Sequence, residues 1–283
     1  MRVEFATIGG ACTRLYHGGE GPPVLLLHGV GASADIWLNN LDALARDFTV
    51  YAPDMLDNGF TESGAYRSGA PQPFMLDHLE ALLDHYGIGD VAVVGSSFGG
   101  LLAALLYFRR PERVRKLILI SSGTCFNSDE ELARTLRESY ANGRTAIAQP
   151  TIETCRQRMR NVVFDPASVP EALILMQLTL YALPNALPAY ERRMQALMDV
   201  ASWQTHRIVG RLHDIHAPTL LVWGENDPRV VLARAEAAAR EIPNARLALF
   251  ERCKHFPQLE HPDRFNRLAM RFLNGETITE SAA

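Results

Sequence analysis

The sequence predicts an α/β protein, with a mostly parallel sheet covered by helices on both faces and one inserted block of helices. Three observations carry this. From residue 24 onward, short Val-, Ile- and Leu-rich runs alternate with helix-periodic stretches, a rhythm that requires crossover helices between parallel strands. The rhythm stops over 124–212, where helical periodicity continues without a convincing strand, and it resumes at Pro218. The chain has 283 residues, 47% of them apolar, which is long for one compact domain and short for two. The division that follows is a sheet core at 1–123 and 213–283 with a helical cap at 124–212.

Taken in order, Val24 to His28 and Phe48 to Ala52 read as strands, and Ile36, Leu41, Leu44 and Ala45 between them give an amphipathic helix. A helix near 74–86 leads to the strand beginning at Val91. The Leu- and Ala-rich helix after it ends near Arg110-Pro111, before the strand Leu117 to Ile120. After the insertion come a strand at Pro218 to Trp223, a helix near 231–242, a strand at Arg246 to Phe250 and a helix near 262–273. The polar tail 275–283 is expected to fray.

Composition excludes several classes. The net charge is −4 and no basic block occurs, so the chain lacks the electrostatic footprint of a nucleic-acid binder. Met1 to Gly10 has neither the charged start nor the apolar stretch of a secretory signal, and no segment is long enough to span a membrane. A cytoplasmic protein with a small-molecule partner is expected, and self-association as a homo-oligomer is left open. Cys12, Cys125, Cys155 and Cys253 are scattered without paired or metal-like spacing, which implies reduced thiols and no metal.

The run Gly95-Ser96-Ser97-Phe98-Gly99 lies between the Val91 strand and the helix that follows. A sharp strand-to-helix turn flanked by glycines lifts the Ser97 hydroxyl above the end of the sheet, the geometry of a nucleophile elbow. A serine hydroxyl is a weak nucleophile at neutral pH and needs a base, which in turn needs an orienting acid. Asp227 follows the first strand after the insertion and His255 follows the last strand, so both lie at carboxyl ends of strands, where open sheets gather ligands. Asp54 and Glu225 are rival acids; His28 and His261 are rival bases, both read as structural. His28-Gly29-Val30-Gly31 supplies a backbone turn after another strand. The amides of Val30 and Phe98 are assigned as oxyanion donors, each worth about 3 kcal/mol in the barrier.

The chain order Ser97, Asp227, His255 resembles the α/β-hydrolase superfamily over nearly the whole chain. The resemblance implies that fold, places the acid at Asp227 and requires no cofactor. A Ser at the elbow argues against dehalogenases and soluble epoxide hydrolases, which carry Asp there. Within the cap, Arg158-Met159-Arg160-Asn161-Val162-Val163-Phe164-Asp165-Pro166 and the residues to Leu173 resemble the meta-cleavage product hydrolases. Those enzymes cleave a carbon–carbon bond in 2-hydroxy-6-oxo-dienoate ring-fission products of aromatic degradation. Tyr190-Glu191-Arg192-Arg193-Met194 resembles the stretch where they place an arginine on the substrate carboxylate, with Arg193 the better match and Arg192 its rival. The resemblance also carries Gly29, Ser96 and Phe256 over as substrate contacts. The chain departs from the family pattern in having Ser96 in place of Asn, Phe256 in place of Trp and a shorter oxyanion stretch; Asn39 and Asn40 do not clearly match. These departures keep a carboxylesterase or enol-lactonase as the alternative, and a slow-turnover ligand receptor as a third reading.

Overall fold

The computed structural model describes residues 1–199 and 203–278. Eight strands form one sheet in the order β1-β2-β4-β3-β5-β6-β7-β8. They are β1 (Arg2–Ile8), β2 (Ala11–Gly18), β3 (Pro23–Leu27), β4 (Thr49–Pro53), β5 (Val91–Ser96), β6 (Val114–Ile120), β7 (Thr219–Gly224) and β8 (Ala245–Phe250). From β4 across to β8 every pairing is parallel, so crossover helices cover both faces. The continuous apolar runs follow from this: every residue of β5 and of β7 is buried. The expected α/β architecture is the one observed.

The order β4-β3-β5 sets the site. From β3 the chain passes through α1 (Leu41–Leu44) to β4 on one side, then returns through α2 (Pro71–His85) to β5 on the other. The carboxyl ends of β3 and β5, paired through Leu27 and Gly95, therefore flank the crevice where the winding reverses. After β5 comes α3 (Phe98–Arg109). Between β6 and β7 lie α4 (Gly123–Phe126), α5 (Asp129–Ala148), α6 (Ile152–Arg160), α7 (Glu171–Tyr181) and α8 (Ala186–Met198). The insertion starts cleanly because Ser128 and Glu131 form a reciprocal capping box at the head of α5. The core then closes with α9 (Leu232–Glu241), α10 (Pro257–Glu260) and α11 (Pro262–Leu273). Phe265, Leu268, Ala269, Phe272 and Leu273 give α11 a buried stripe at helical spacing.

Two local features differ from the sequence reading. The N-terminal strands β1 and β2 form an antiparallel hairpin that was not anticipated. Gly9 and Gly10, both at positive φ, make its two-residue turn, but Val3 and Phe5 point outward and disguise the alternation. The helix expected across Ile36 to Ala45 is split into a 3-10 turn, Ala34–Trp37, and the single turn of α1. Buried Asn40 sits at the break because its side-chain amide donates to the Gln258 carbonyl and to Asn266 Oδ1. At the C-terminus, Arg271 reaches Glu276 and the Thr277 carbonyl; residues 279–283 of the expected frayed tail lie outside the described residues. Among the described residues no single helix is long and apolar enough to cross a membrane.

His78 on α2 is buried against the Thr13 hydroxyl, 2.8 Å away, and burial pushes it down to about 4. The unfolded chain binds this proton near pH 6.5 and the folded chain does not, so the contribution is full above pH 6.5 and falls as pH drops toward 4. Urea melts should show His78→Gln with a shallower acid loss between pH 6.5 and 4, smaller by about 3 kcal/mol at the lower end. Identical pH slopes in the two proteins would remove His78 from the account.

Candidate active site

Ser97 occupies the turn between β5 and α3 with φ 55° and ψ −118°, a conformation L-residues rarely adopt and one that costs about 1–3 kcal/mol. Its surroundings force it. A Cβ on Gly95 would lie 2.3 Å from the Gly99 carbonyl oxygen, and one on Gly99 would lie 2.3 Å from that of Leu27. Strand, turn and helix therefore meet only if both flanking residues are glycine. The Ser97 amide donates to the Ile120 carbonyl at 2.8 Å, and its own carbonyl accepts from Ser122 Oγ at 2.7 Å and the Gly100 amide at 3.0 Å.

Asp227 lies in the turn after β7 and His255 in the loop after β8. His255 Nδ1 stands 2.9 Å from Asp227 Oδ2, with both side chains almost wholly withdrawn from solvent. The other carboxylate oxygen accepts from the Arg229 amide at 2.9 Å. With Nδ1–H donated to the acid, Nε2 is the free basic nitrogen, and it is buried without a hydrogen-bond partner. It shares one cavity with Ser97, Gly29, Val30, Phe98 and Phe256. In this conformation Ser97 Oγ is not within hydrogen-bond reach of Nε2, an openness common before substrate binds.

The loop after β3 faces Ser97 closely: a Cβ on Gly29 would lie 3.1 Å from that of Ser97. His28 sets this loop. Its Nε2 accepts from the Met55 amide at 2.9 Å, which leaves the proton on Nδ1, 2.8 Å from the Gly29 carbonyl oxygen. The Ala32 amide donates to the same oxygen at 3.2 Å. Holding that carbonyl fixes the peptide plane whose other end is the Val30 N–H. Among the described residues the Val30 and Phe98 amides donate to no protein acceptor. Burial pulls the His28 pKa below its ordinary value, which keeps the ring in this neutral form.

The base loop is ordered by Glu260, whose carboxylate accepts from the amides of Lys254, Phe256 and Phe164. The last of these belongs to the inserted segment, as does the Val162 carbonyl that accepts from the His255 amide at 3.0 Å. Nothing in the local sequence around Glu260 marks this role. Tyr181 Oη and Arg158 Nη2 both donate to the Gly31 carbonyl, at 3.0 and 2.9 Å, and so tie the inserted helices to the oxyanion-side loop.

The remaining expected contacts divide. Gly29 and Phe256 line the cavity; Phe256 packs edge-on against His255, ring centres 5.0 Å apart. Ser96 does not: it is fully buried at the end of β5, and its hydroxyl accepts from Gln258 Nε2. Arg192 and Arg193 also turn away from Ser97. Both grip Asp57, Arg192 Nη2 on Oδ1 at 2.7 Å and Arg193 Nη1 on Oδ2 at 2.9 Å, with Arg193 also on the Asp57 carbonyl. The reason is electrostatic, since the Asp57 side chain is 3% exposed and a buried carboxylate must be paired. The two arginines line a separate, larger cavity of about 630 Å³ whose lining includes none of Ser97, Asp227 and His255. The rival residues also have other duties. Asp54 is held by Arg14, and His261 lies 3.3 Å from the Arg252 carbonyl. Arg158 and Arg229, by contrast, line the Ser97 cavity and were not singled out as site residues.

The chain matches the family model described as alpha/beta hydrolase fold over residues 22–262. It is 32% identical over 275 residues to the 2-hydroxymuconate semialdehyde hydrolase of Pseudomonas putida, covering 93% of this chain and 91% of that one. It is 31% identical over 255 residues to the 2-hydroxy-6-oxononadienedioate/2-hydroxy-6-oxononatrienedioate hydrolase of Burkholderia vietnamiensis, covering 88% and 86%. The solved meta-cleavage product hydrolase of Pseudomonas fluorescens IP01 superposes with a TM-score of 0.78 at 28% identity, covering 96% of this chain and 97% of that one. This chain is an enzyme of the α/β-hydrolase fold family. Within that family it belongs to the meta-cleavage product hydrolases.

Removing one partner of a buried ion pair leaves the other charge stranded, at about 3–5 kcal/mol. Arg193→Met should therefore lower unfolding stability by about 3 kcal/mol in urea melts. A variant with unchanged stability and a raised KM only for carboxylate-bearing substrates would return Arg193 to the substrate.

Proposed function

We propose that this enzyme hydrolyses the carbon–carbon bond beside the 6-oxo group of a 2-hydroxy-6-oxo-dienoate, with Ser97, His255 and Asp227 as its triad. In this reading the helices of 124–212 act as a cap over a core of 1–123 and 213–283, and the enzyme works in the cytoplasm. The observation that carries the reading is the His255–Asp227 pair, whose free Nε2 opens on the cavity shared with Ser97 and the unpaired Val30 and Phe98 amides.

The chemistry follows from the substrate's own electrons. Moving the 2-hydroxyl proton onto the carbon chain makes a vinylogous diketone, so the carbon next to the 6-carbonyl can leave with its electron pair. Ser97 Oγ, or a water it holds, then adds to that carbonyl as His255 Nε2 takes the proton. The carbonyl oxygen becomes an oxyanion facing the Val30 and Phe98 amides. Collapse breaks the carbon–carbon bond, and the electron pair left on the chain is protonated by His255; where Ser97 Oγ is the attacker, a water deprotonated by His255 then hydrolyses the acyl ester and returns the proton to Ser97. Net addition of one water gives a carboxylic acid and a 2-hydroxydienoate. Asp227 keeps the imidazole in the required tautomer throughout.

The test follows the visible absorbance of a 2-hydroxy-6-oxo-dienoate, with the product acids identified by mass. Wild-type protein should bleach it into two acids, and Ser97→Ala should slow this by at least about 10³-fold. Asp227→Asn should cost a similar factor while leaving the fold intact. Rapid bleaching by Ser97→Ala would overturn the nucleophile assignment. Turnover of simple aryl esters without dienoate cleavage would instead favour the carboxylesterase or lactonase reading.

A further inference from the structure

The Ser97 cavity carries two guanidinium groups and no free carboxylate. Arg158 enters from α6; one of its nitrogens is committed to the Gly31 carbonyl, but its Nε is buried without a hydrogen-bond partner. Arg229 enters from the loop after β7. Its backbone amide serves Asp227, while among the described residues its guanidinium makes no hydrogen bond or ion pair. The charges that bear on Arg229 are those of Asp227, Arg158, Tyr190 and Glu138. None of these groups is available to pair with it. Asp227 gives one oxygen to the Arg229 amide and the other to His255. Glu138 is half-exposed and paired with Arg134 at 3.0 Å. Tyr190 donates its hydroxyl to the Ser139 carbonyl at 2.7 Å. Arg158 adds a like charge. Burial pulls the Arg229 pKa below its ordinary value.

The two arginines almost wholly withdrawn from solvent show how this chain holds a buried guanidinium. Arg14 is held by Asp35 and Asp54, and Arg193 by Asp57. Arg229, partly buried, has no such acid among the described residues, and it lines the cavity that holds Ser97. We infer that Arg158 and Arg229 form a carboxylate-binding subsite in the Ser97 cavity, and that the substrate is an acyl compound bearing a carboxylate that these two arginines share. This inference rests on the proposed triad, and the carboxylate it concerns is on the acyl side of the cleaved bond, distinct from the dienoate carboxylate for which sequence resemblance put forward Arg192 and Arg193. A planar guanidinium with two parallel N–H donors suits a carboxylate better than any neutral oxygen.

The experiment compares kcat/KM for 4-nitrophenyl hydrogen glutarate with that for neutral 4-nitrophenyl pentanoate, which has the same acyl chain length without the charge. Wild-type enzyme should prefer the glutarate by at least ten-fold, and free glutarate should inhibit competitively. Arg229→Gln should lower the preference by roughly 10- to 100-fold, as loss of a charge-assisted hydrogen bond does. Arg229→Lys, which keeps the charge, should retain part of it. A preference unchanged in Arg229→Gln, or a wild-type preference for the neutral ester, would overturn the subsite. Failure of the triad is read separately: neutral-ester turnover that survives Ser97→Ala would sink the catalytic assignment whatever the glutarate ratio.

Discussion

One buried guanidinium holds the working end of the sheet in place. Arg14, on β2, donates to Asp54 at 2.7 and 2.8 Å and to Asp35 at 2.6 and 3.2 Å, and the side chains of all three are almost solvent-free. Two carboxylates on one cation leave a formal negative charge, which the surroundings absorb. Ser33 and Tyr16 donate hydroxyls to Asp35, while the Ala34 and Phe60 amides donate to Asp54. Burial alone would raise the Asp35 pKa, but Arg14 and the two hydroxyls outweigh it and hold the carboxyl below its ordinary range. Such a cluster contributes little net stability over an apolar core of the same shape. Its value is positional, because the groups it recruits come from β2, from the loop after β3 and from the loop after β4. Those two loops carry the oxyanion side of the site and Asp57.

From Asp57 the constraint passes to the inserted helices. Asp57 holds a positive φ of 63° and presents both carboxylate oxygens to α8, where Arg192 and Arg193 take one each. A second set of ties runs along the other side, through Val162 and Phe164 to the His255 loop and through Arg158 and Tyr181 to Gly31. The His255 loop and the loops after β3 and β4 are thus each clamped by inserted residues, leaving a cavity of only about 50 Å³ around Ser97. Ligand sites for small organic molecules run to roughly 300 Å³ or more. Substrate entry therefore requires this cavity to widen.

What the sequence made legible were features decided by local pattern. The strand runs, the elbow glycines and the Asp and His at strand ends all follow from backbone geometry, which short segments encode. The hairpin of β1 and β2 stayed hidden because its outward face carries Val3 and Phe5, so alternation did not sort polar from apolar. The break at Asn40 depends on partners at Gln258 and Asn266, far along the chain. The surroundings of the arginines stayed hidden for the same reason. Arg192, Arg193, Arg158 and Arg229 are alike as residues, and what separates them is whether an acid sits opposite. Asp57 lies 135 residues before Arg192, and no periodicity announces that pairing.

The proposed Arg158–Arg229 subsite has a consequence for how the site would discriminate. Arg158 belongs to the inserted helices and Arg229 to the core, so closing the cavity brings like charges together in a space that excludes water. With a neutral ligand, both guanidiniums lose hydration and gain no counter-charge, a penalty that falls on the closed state alone. A carboxylate between them reverses the sign, because the same closure now forms charge-assisted hydrogen bonds in low dielectric. Specificity then resides in the closing equilibrium as much as in pocket shape. An anion that binds the closed form better shifts the population toward it, and a neutral analogue of equal size does not.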